Sequence, residues 1–169
     1  MSKVETFLEE KCMDVNFINP FLSAALNVIK TMAFVECIPG KPFIKTDRKA
    51  SGDVTGIIGI TGDTEGSLSI TFNKACIECI VSNMIGEEVN GIDDQVRDAV
   101  GEITNMISGM ARRELEKQGY VLRAAIPSVV SGQGHVIQHI SLGPCVAIPF
   151  ETEKGPFLVE VSFKNNKGT

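Results

Sequence analysis

The chain has no tryptophan, one tyrosine and two histidines, His135 and His139. So few exposed rings argue against a stacking platform for bases or sugars. Two imidazoles exclude a metal centre built from several histidines, and any Ser-His-Asp triad would have to use one of them. Basic charge is also short: 16 Lys and Arg stand against 21 Asp and Glu, a net charge of -5. Such a field repels phosphate backbones, so no nucleic-acid partner is expected. No run approaches the ~18 apolar residues of a membrane-crossing helix, so no membrane partner is expected either. Glu9, Glu10 and Lys11 stand where a signal peptide would place apolar residues. The five cysteines, an odd number, read as reduced thiols of a cytoplasmic protein.

What remains is a globular composition. The 169 residues are 43% hydrophobic and 22% charged, which suits one core. Residues 1–12 read as an N-terminal extension, 13–164 as a single domain and 165–169 as a C-terminal tail. Asn19-Pro20 signals a helix start, with Leu22, Ala25, Leu26, Ile29 and Ala33 following at helical spacing. Pro42–Arg48, Asp53–Thr61 and Gly66–Phe72 read as strands, the last two joined by the turn Gly62-Asp63-Thr64-Glu65. A second helix is expected from Asn73 to about Met84. The longest runs from Asp93 or Asp94 to about Gln118, stopped by Gly119. Strands are expected near 120–130, 135–142, 145–151 and 156–164. The order helix, strands, helices, strands predicts an α+β fold with helices packed on an antiparallel sheet. It also suggests a pseudo-symmetric repeat of helix plus three strands. Laid over Asp98–Ile107, the segment Pro20–Ile29 places Asn27 on Asn105 and Ala24 on Glu102.

The long helix carries the strongest functional signal. Val96, Val100, Ile103, Ile107 and Met110 form one apolar band at helical spacing. Asp98, Glu102 and Asn105, spaced i, i+4, i+7, fall together on the opposite side. Gly101 and Gly109 share that outward side, and Ser108 is expected near its edge. A glycine in a helix costs about 1 kcal/mol relative to alanine, and bare backbone admits close approach of another surface.

The stripe Asp98-Ala-Val-Gly-Glu102-Ile-Thr-Asn105, with Pro127 downstream, resembles the motif of the CheC/CheX/FliY family, phosphatases of the chemotaxis response regulator CheY. Ile18-Asn-Pro-Phe-Leu, Gly52-Asp-Val-Thr-Gly56, Gly66-Ser-Leu-Ser-Ile70, Gly134-His-Val136 and Ile148-Pro-Phe-Glu-Thr152 resemble the CheX branch in particular. The resemblance spans residues 13–164. It implies dephosphorylation of the aspartyl phosphate of a CheY-like regulator in two-component chemotaxis signalling. Asn105 would hold an in-line water, and Glu102 would pair with a regulator lysine. Asp98, Gly101, Ser108 and Gly109 would contact the partner, while Pro127 would be structural. The implied Mg2+ belongs to the regulator, which leaves this chain without a metal or cofactor of its own. With Ala24 in the first copy, a single site is expected. A homodimer through the β-sheet is implied as well. The alternative from another class is a non-catalytic docking module for a regulator, kinase or flagellar motor component.

Other motifs read as structural. Cys76-Ile-Glu-Cys79 is a lone CxxC inside a helical pattern, without the Gly/Pro chemistry of a redox turn. His135 and His139 lie on a strand or loop and read as rim residues. Ser131-Gly-Gln-Gly134 lacks the Lys-Ser/Thr and the helix of a phosphate-binding loop.

Overall fold

The computed structural model describes residues 14–139 and 143–164, so the extension 1–12 and the tail 165–169 lie outside the described residues. Helix α1 spans Val15–Ala33 and is capped by Asp14, whose carboxylate accepts from the Asn16 N–H at 2.9 Å. It thus begins before the expected start, and Pro20 lies inside it. Pro20 has no N–H to give the Asn16 carbonyl. The Gln118 side-chain amide donates to that carbonyl instead, at 3.2 Å. A tertiary contact therefore replaces the helical bond that proline removes.

The remaining elements are β1 (Ile38–Pro39), β2 (Phe43–Ile44), β3 (Val54–Gly62), β4 (Gly66–Phe72), α2 (Lys74–Ile85), α3 (Asp94–Lys117), β5 (Leu122–Ala124), β6 (Ser128–Ser131), β7 (Cys145–Thr152) and β8 (Gly155–Phe163). Asn73 caps α2 and Asp93 caps α3, each side chain accepting a backbone N–H of the first turn. Gly86 ends α2 in the left-handed region, at φ 74°.

Three strand expectations change. Pro42–Arg48 shortens to β2, and β1 precedes it. Pro39 and Pro42 have no N–H for a ladder, which keeps this edge short and interrupted. The strand expected over 120–130 divides into β5 and β6. Ala124 stands opposite Ile60 while Ser128 stands opposite Ile57, so one extra residue is accommodated between them. That bulge holds Ile126, which is 90% exposed, and Pro127. No strand forms at 135–139, where Val136 makes a single bridge to Lys49; residues 140–142 lie outside the described residues.

All eight strands join one antiparallel sheet, in the order β1-β7-β8-β4-β3-β5, with β2 also on β7 and β6 also on β3. The two halves interleave. The short strands after α1 pair with β7 of the second half, and those after α3 pair with β3 of the first. Each half is a helix, an interrupted edge of two short strands, and two long strands. The expected α+β architecture is therefore present, with each edge split in two.

Register fixes the two faces. Val54, Gly56, Ile58 and Ile60 of β3 stand opposite Phe72, Ile70, Leu68 and Gly66 of β4. Val159 and Val161 of β8 continue that row beside Ile70 and Leu68. These side chains and the buried stripes of α1, α2 and α3 form one core. Residues of the opposite parity face the other way. They include Thr55, Ser67, Ser69, Thr71, Glu160 and Ser162, and all are buried. Two segments cover this polar rear face. His135 Nε2 lies 2.6 Å from Thr55 Oγ1, and His139 Nδ1 lies 2.6 Å from Ser67 Oγ. Alongside them, Lys45 reaches Glu160. The two histidines are thus ties across the rear face rather than free rim residues.

Candidate functional site

Helix α3 presents the polar stripe as expected. Val96, Val100, Ile103 and Ile107 are fully buried against the sheet and α1, while Asp98, Glu102 and Asn105 are exposed. Their side chains make no hydrogen bond or ion pair with other described residues. Arg97, the adjacent cation, is committed to Asp94, the Ile92 carbonyl and Ser131. The exposed face is thus acidic, with one uncharged amide beside the Glu102 carboxylate. That amide offers an acceptor and two donors at one tip.

Two residues outside the expected set hold this helix in place. Gly56 lies mid-strand in β3, and a Cβ there would come 2.0 Å from Thr104 Oγ1. Thr104 is buried and donates to the Val100 carbonyl at 2.7 Å. The absent side chain at Gly56 is what lets α3 sit directly on β3. Glycine inside a Val/Ile strand is the sequence signal for such an approach. Thr104 immediately precedes Asn105, so this contact also sets where the amide stands.

Ser108 requires a correction. It is fully buried, and its Oγ accepts from Arg112 Nε at 3.3 Å. Val100, Thr104 and Ser108 form one i, i+4 row of buried residues, whose first two meet β3 at Gly56. Ser108 therefore does not belong to the outward face. The two glycines are half-buried. A Cβ at Gly101 would meet Val129 Cγ2 at 3.5 Å, and one at Gly109 would meet only the Arg112 guanidinium at 4.0 Å. Packing within the chain requires glycine at neither position. Pro127, in the bulge, immediately precedes β6, whose Val129 flanks Gly101. In the first half, Ala24 is 3% exposed while Asn27 faces out. The position matching Glu102 is thus inside the packing of α1.

The remaining candidates fall away from this face. Cys76 and Cys79 lie in α2, and Cys76 is buried. Burial pushes the Cys76 thiol up to about 11, the opposite of an activated thiolate. Ser131-Gly-Gln-Gly134 ends β6 in a turn that no helix follows. No helix among the described residues is long and apolar enough to cross a membrane.

Residues 54–151 match the family model described as Chemotaxis phosphatase CheX. The chain is similar to the CheY-P phosphatase CheX of Thermotoga maritima, with 31% identity over 138 residues, 81% of this chain and 88% of that protein. Among solved structures, a CheC-like superfamily protein from Shewanella sp. PV-4 is 48% identical with a TM-score of 0.85, covering 90% of this chain and 99% of that one. The CheX of a Borrelia burgdorferi CheX-CheY-BeF3-Mg complex is 28% identical with a TM-score of 0.76, covering 88% and 97%. Stripe, sheet topology and these likenesses agree: the chain belongs to the chemotaxis phosphatase CheX family.

Proposed function

We propose that this protein hydrolyses the aspartyl phosphate of a CheY-like response regulator in the cytoplasm. Asn105 acts on the attacking water, and Glu102 pairs with a lysine of the regulator. The observation that carries the reading is the exposed, unpartnered Glu102–Asn105 pair on α3 in a chain of the CheX family. An aspartyl phosphate is an acyl phosphate. Water attacks phosphorus, the phosphorus–oxygen bond to the aspartate breaks, and inorganic phosphate and a carboxylate leave. A carboxylate needs little protonation to depart, so positioning dominates the barrier. The Asn105 carbonyl accepts from the water, and its NH2 donates to a phosphoryl oxygen. A carboxylate entering a phosphate site is repelled unless a cation meets it, which is why Glu102 requires the lysine. The Borrelia relative was captured with CheY, beryllofluoride and Mg2+. Here too the Mg2+ would be the regulator's. Buried Ala24 in the first half supports a single site.

Asp98 and the bare backbone at Gly101 and Gly109 complete the docking face. Gly109→Ala is expected to raise thermal stability, because it removes a helix cost of about 1 kcal/mol and meets no clash. The same variant is expected to raise the regulator concentration needed for half-maximal rate. Unchanged docking would remove Gly109 from the interface.

The reading includes a homodimer joined through a sheet edge. Ile38 and Phe43 on one edge, and Val121 and Val130 on the other, are exposed apolar side chains. Light scattering should report twice the 18.2 kDa chain mass; the single-chain mass at micromolar concentration would remove the dimer.

The function itself is tested by decay of a panel of phosphorylated regulators. At least one should lose phosphate faster with wild type, and none with a Glu102→Ala/Asn105→Ala chain that remains folded. Binding without acceleration would favour the docking module instead.

A further inference from the structure

We propose that His139, Cys145 and Glu160 form a binding site for one zinc ion, on the face of the sheet opposite α3. The three come from separate parts of the fold: the segment after β6, the start of β7 and the middle of β8. Their ligand atoms all lie within 4.8 Å of one another. Glu160 Oε1 is 3.6 Å from Cys145 Sγ and 3.7 Å from His139 Nε2. Tetrahedral zinc, with bonds of about 2.0–2.3 Å, holds such atoms roughly 3.3–3.6 Å apart. Two of the three separations are already close to that geometry, and the third, Cys145 to His139, lies within 4.8 Å.

The surrounding bonds orient the ligand atoms. His139 Nε2 is buried without a hydrogen-bond partner among the described residues. A buried polar atom left this way is costly and calls for an explanation. The other ring nitrogen, Nδ1, lies 2.6 Å from Ser67 Oγ. With the proton on Nδ1 and Ser67 accepting it, the Nε2 lone pair points into the cluster. Ser69 Oγ donates to Glu160 Oε2 at 3.2 Å, which leaves Oε1 as the oxygen that faces Cys145 and Lys45. Ser67 and Ser69 thus orient two ligands from the neighbouring strand, as supporting groups do in metal sites. Cys145 and His139 are partly exposed, while Glu160 is buried.

The charges facing the cluster are those of Glu160, Lys45 and Asp47. Lys45 Nζ lies 3.2 Å from Glu160 Oε1, 2.6 Å from the Lys49 carbonyl and 3.5 Å from Asp47. Without metal, Lys45 is the counter-ion of a carboxylate that is 2% exposed. Burial alone would raise Glu160, but His139 in its protonated form and the Lys45 ammonium outweigh it and hold the carboxyl below its ordinary range; zinc would take the place of the Nε2 proton. Burial and the Glu160 charge push the Cys145 thiol up to about 12, so it is protonated at neutral pH. Zinc binding would break the S–H bond, release that proton to solvent and form a sulfur–zinc bond. The Lys45 ammonium would give up Oε1 and keep Lys49 and Asp47. Thiol, carboxylate and ammonium sum to zero charge before binding; with zinc bound and one proton released, thiolate, carboxylate, ammonium and zinc sum to +1, and Asp47 faces the ammonium. A sulfur, nitrogen and oxygen donor set selects zinc over Mg2+, which takes oxygen.

The test titrates Zn2+ alone into the chelator-stripped full chain, in competition with a chromophoric chelator. One equivalent should bind with a dissociation constant below about 10 μM. Affinity should rise about tenfold per pH unit near neutrality, as release of one proton requires. Cys145→Ser and His139→Ala should each weaken binding by about 100-fold or more, while Cys79→Ser should not. Co2+ should give a thiolate charge-transfer band in wild type and none in Cys145→Ser. Binding weaker than about 10 μM in wild type, or equal binding in Cys145→Ser, overturns the site. Glu160→Gln is not the diagnostic variant, because it strands buried Lys45. The wild-type titration decides the question whether or not a variant folds.

Discussion

Asn105→Ala is expected to slow regulator dephosphorylation by about 10²–10³-fold, the loss seen when one positioning group leaves a transition state. Its side chain bonds to no other described residue, so the fold should tolerate the change with little loss of stability. The regulator concentration for half-maximal rate should change far less than the rate itself, because in the proposed mechanism the amide acts on the water and the phosphoryl group. Glu102→Ala should show the reverse weighting. It would remove the proposed charge pair with the regulator lysine, which would weaken docking first. Single-turnover decay of phosphorylated regulator at saturating enzyme separates the two effects. An Asn105→Ala chain with wild-type rate at saturation would sink the mechanism. A fall in affinity alone would recast Asn105 as a docking residue.

Gly56→Ala is the second large effect, and it acts from inside. The added methyl would meet Thr104 Oγ1 at 2.0 Å, Thr104 Cβ at 3.1 Å and Val100 Cγ1 at 3.2 Å. One side chain cannot yield alone, because both belong to the buried row of α3. The helix must move off β3, and such overpacking costs about 1–3 kcal/mol. Because Asn105 follows Thr104, the same movement displaces the amide. A misplacement near 1 Å costs about 100-fold in rate. Gly56→Ala is therefore expected to lose stability and activity together, without touching the exposed face. Thr104→Ala in the same chain removes the closest clash, so the double variant should recover part of both losses. Additive rather than compensating effects in a chemical-denaturation cycle would show that the contact does not seat the helix. So would a Gly56→Ala chain within about 0.5 kcal/mol of wild type.

How much of this was legible in advance depended on whether the information was local. Asn73, Asp93, Gly86 and Gly119 are caps and stops whose chemistry acts within a few residues, so α2 and α3 ran close to their expected bounds. Gly66–Phe72 kept its expected limits because its alternation meets a core on one side. The opposite side of that strand is buried too, under segments far away in sequence, and no local pattern announces it. Pro20 misled because its local meaning, a helix start, was overridden by Gln118 from across the fold. Ser108 misled because helical angle places it near the edge of the outward side, and angle alone does not show how far the buried side of α3 extends. The exposed stripe was readable because a face that packs against nothing obeys only helical periodicity. The rear cluster was not, since Glu160, Cys145 and His139 meet only through strand register. The roles proposed for Glu102 and Asn105 stand or fall with the decay experiment.

The interleaving of the two halves bears on how this chain reaches its native state. Each half encodes its own helix and long hairpin, yet its outer strand can dock only on the other half. Neither half can therefore close its sheet before the other exists. The β1–β7 and β2–β7 ladders join segments about a hundred residues apart, as Ile38 opposite Glu151 illustrates. Those loops must close before their contacts return any stabilisation, which slows folding. A repeat that looks like two small domains in sequence thus behaves as one knit unit. The α3 face becomes competent only when the last β-segments of the chain have come back to hold the first.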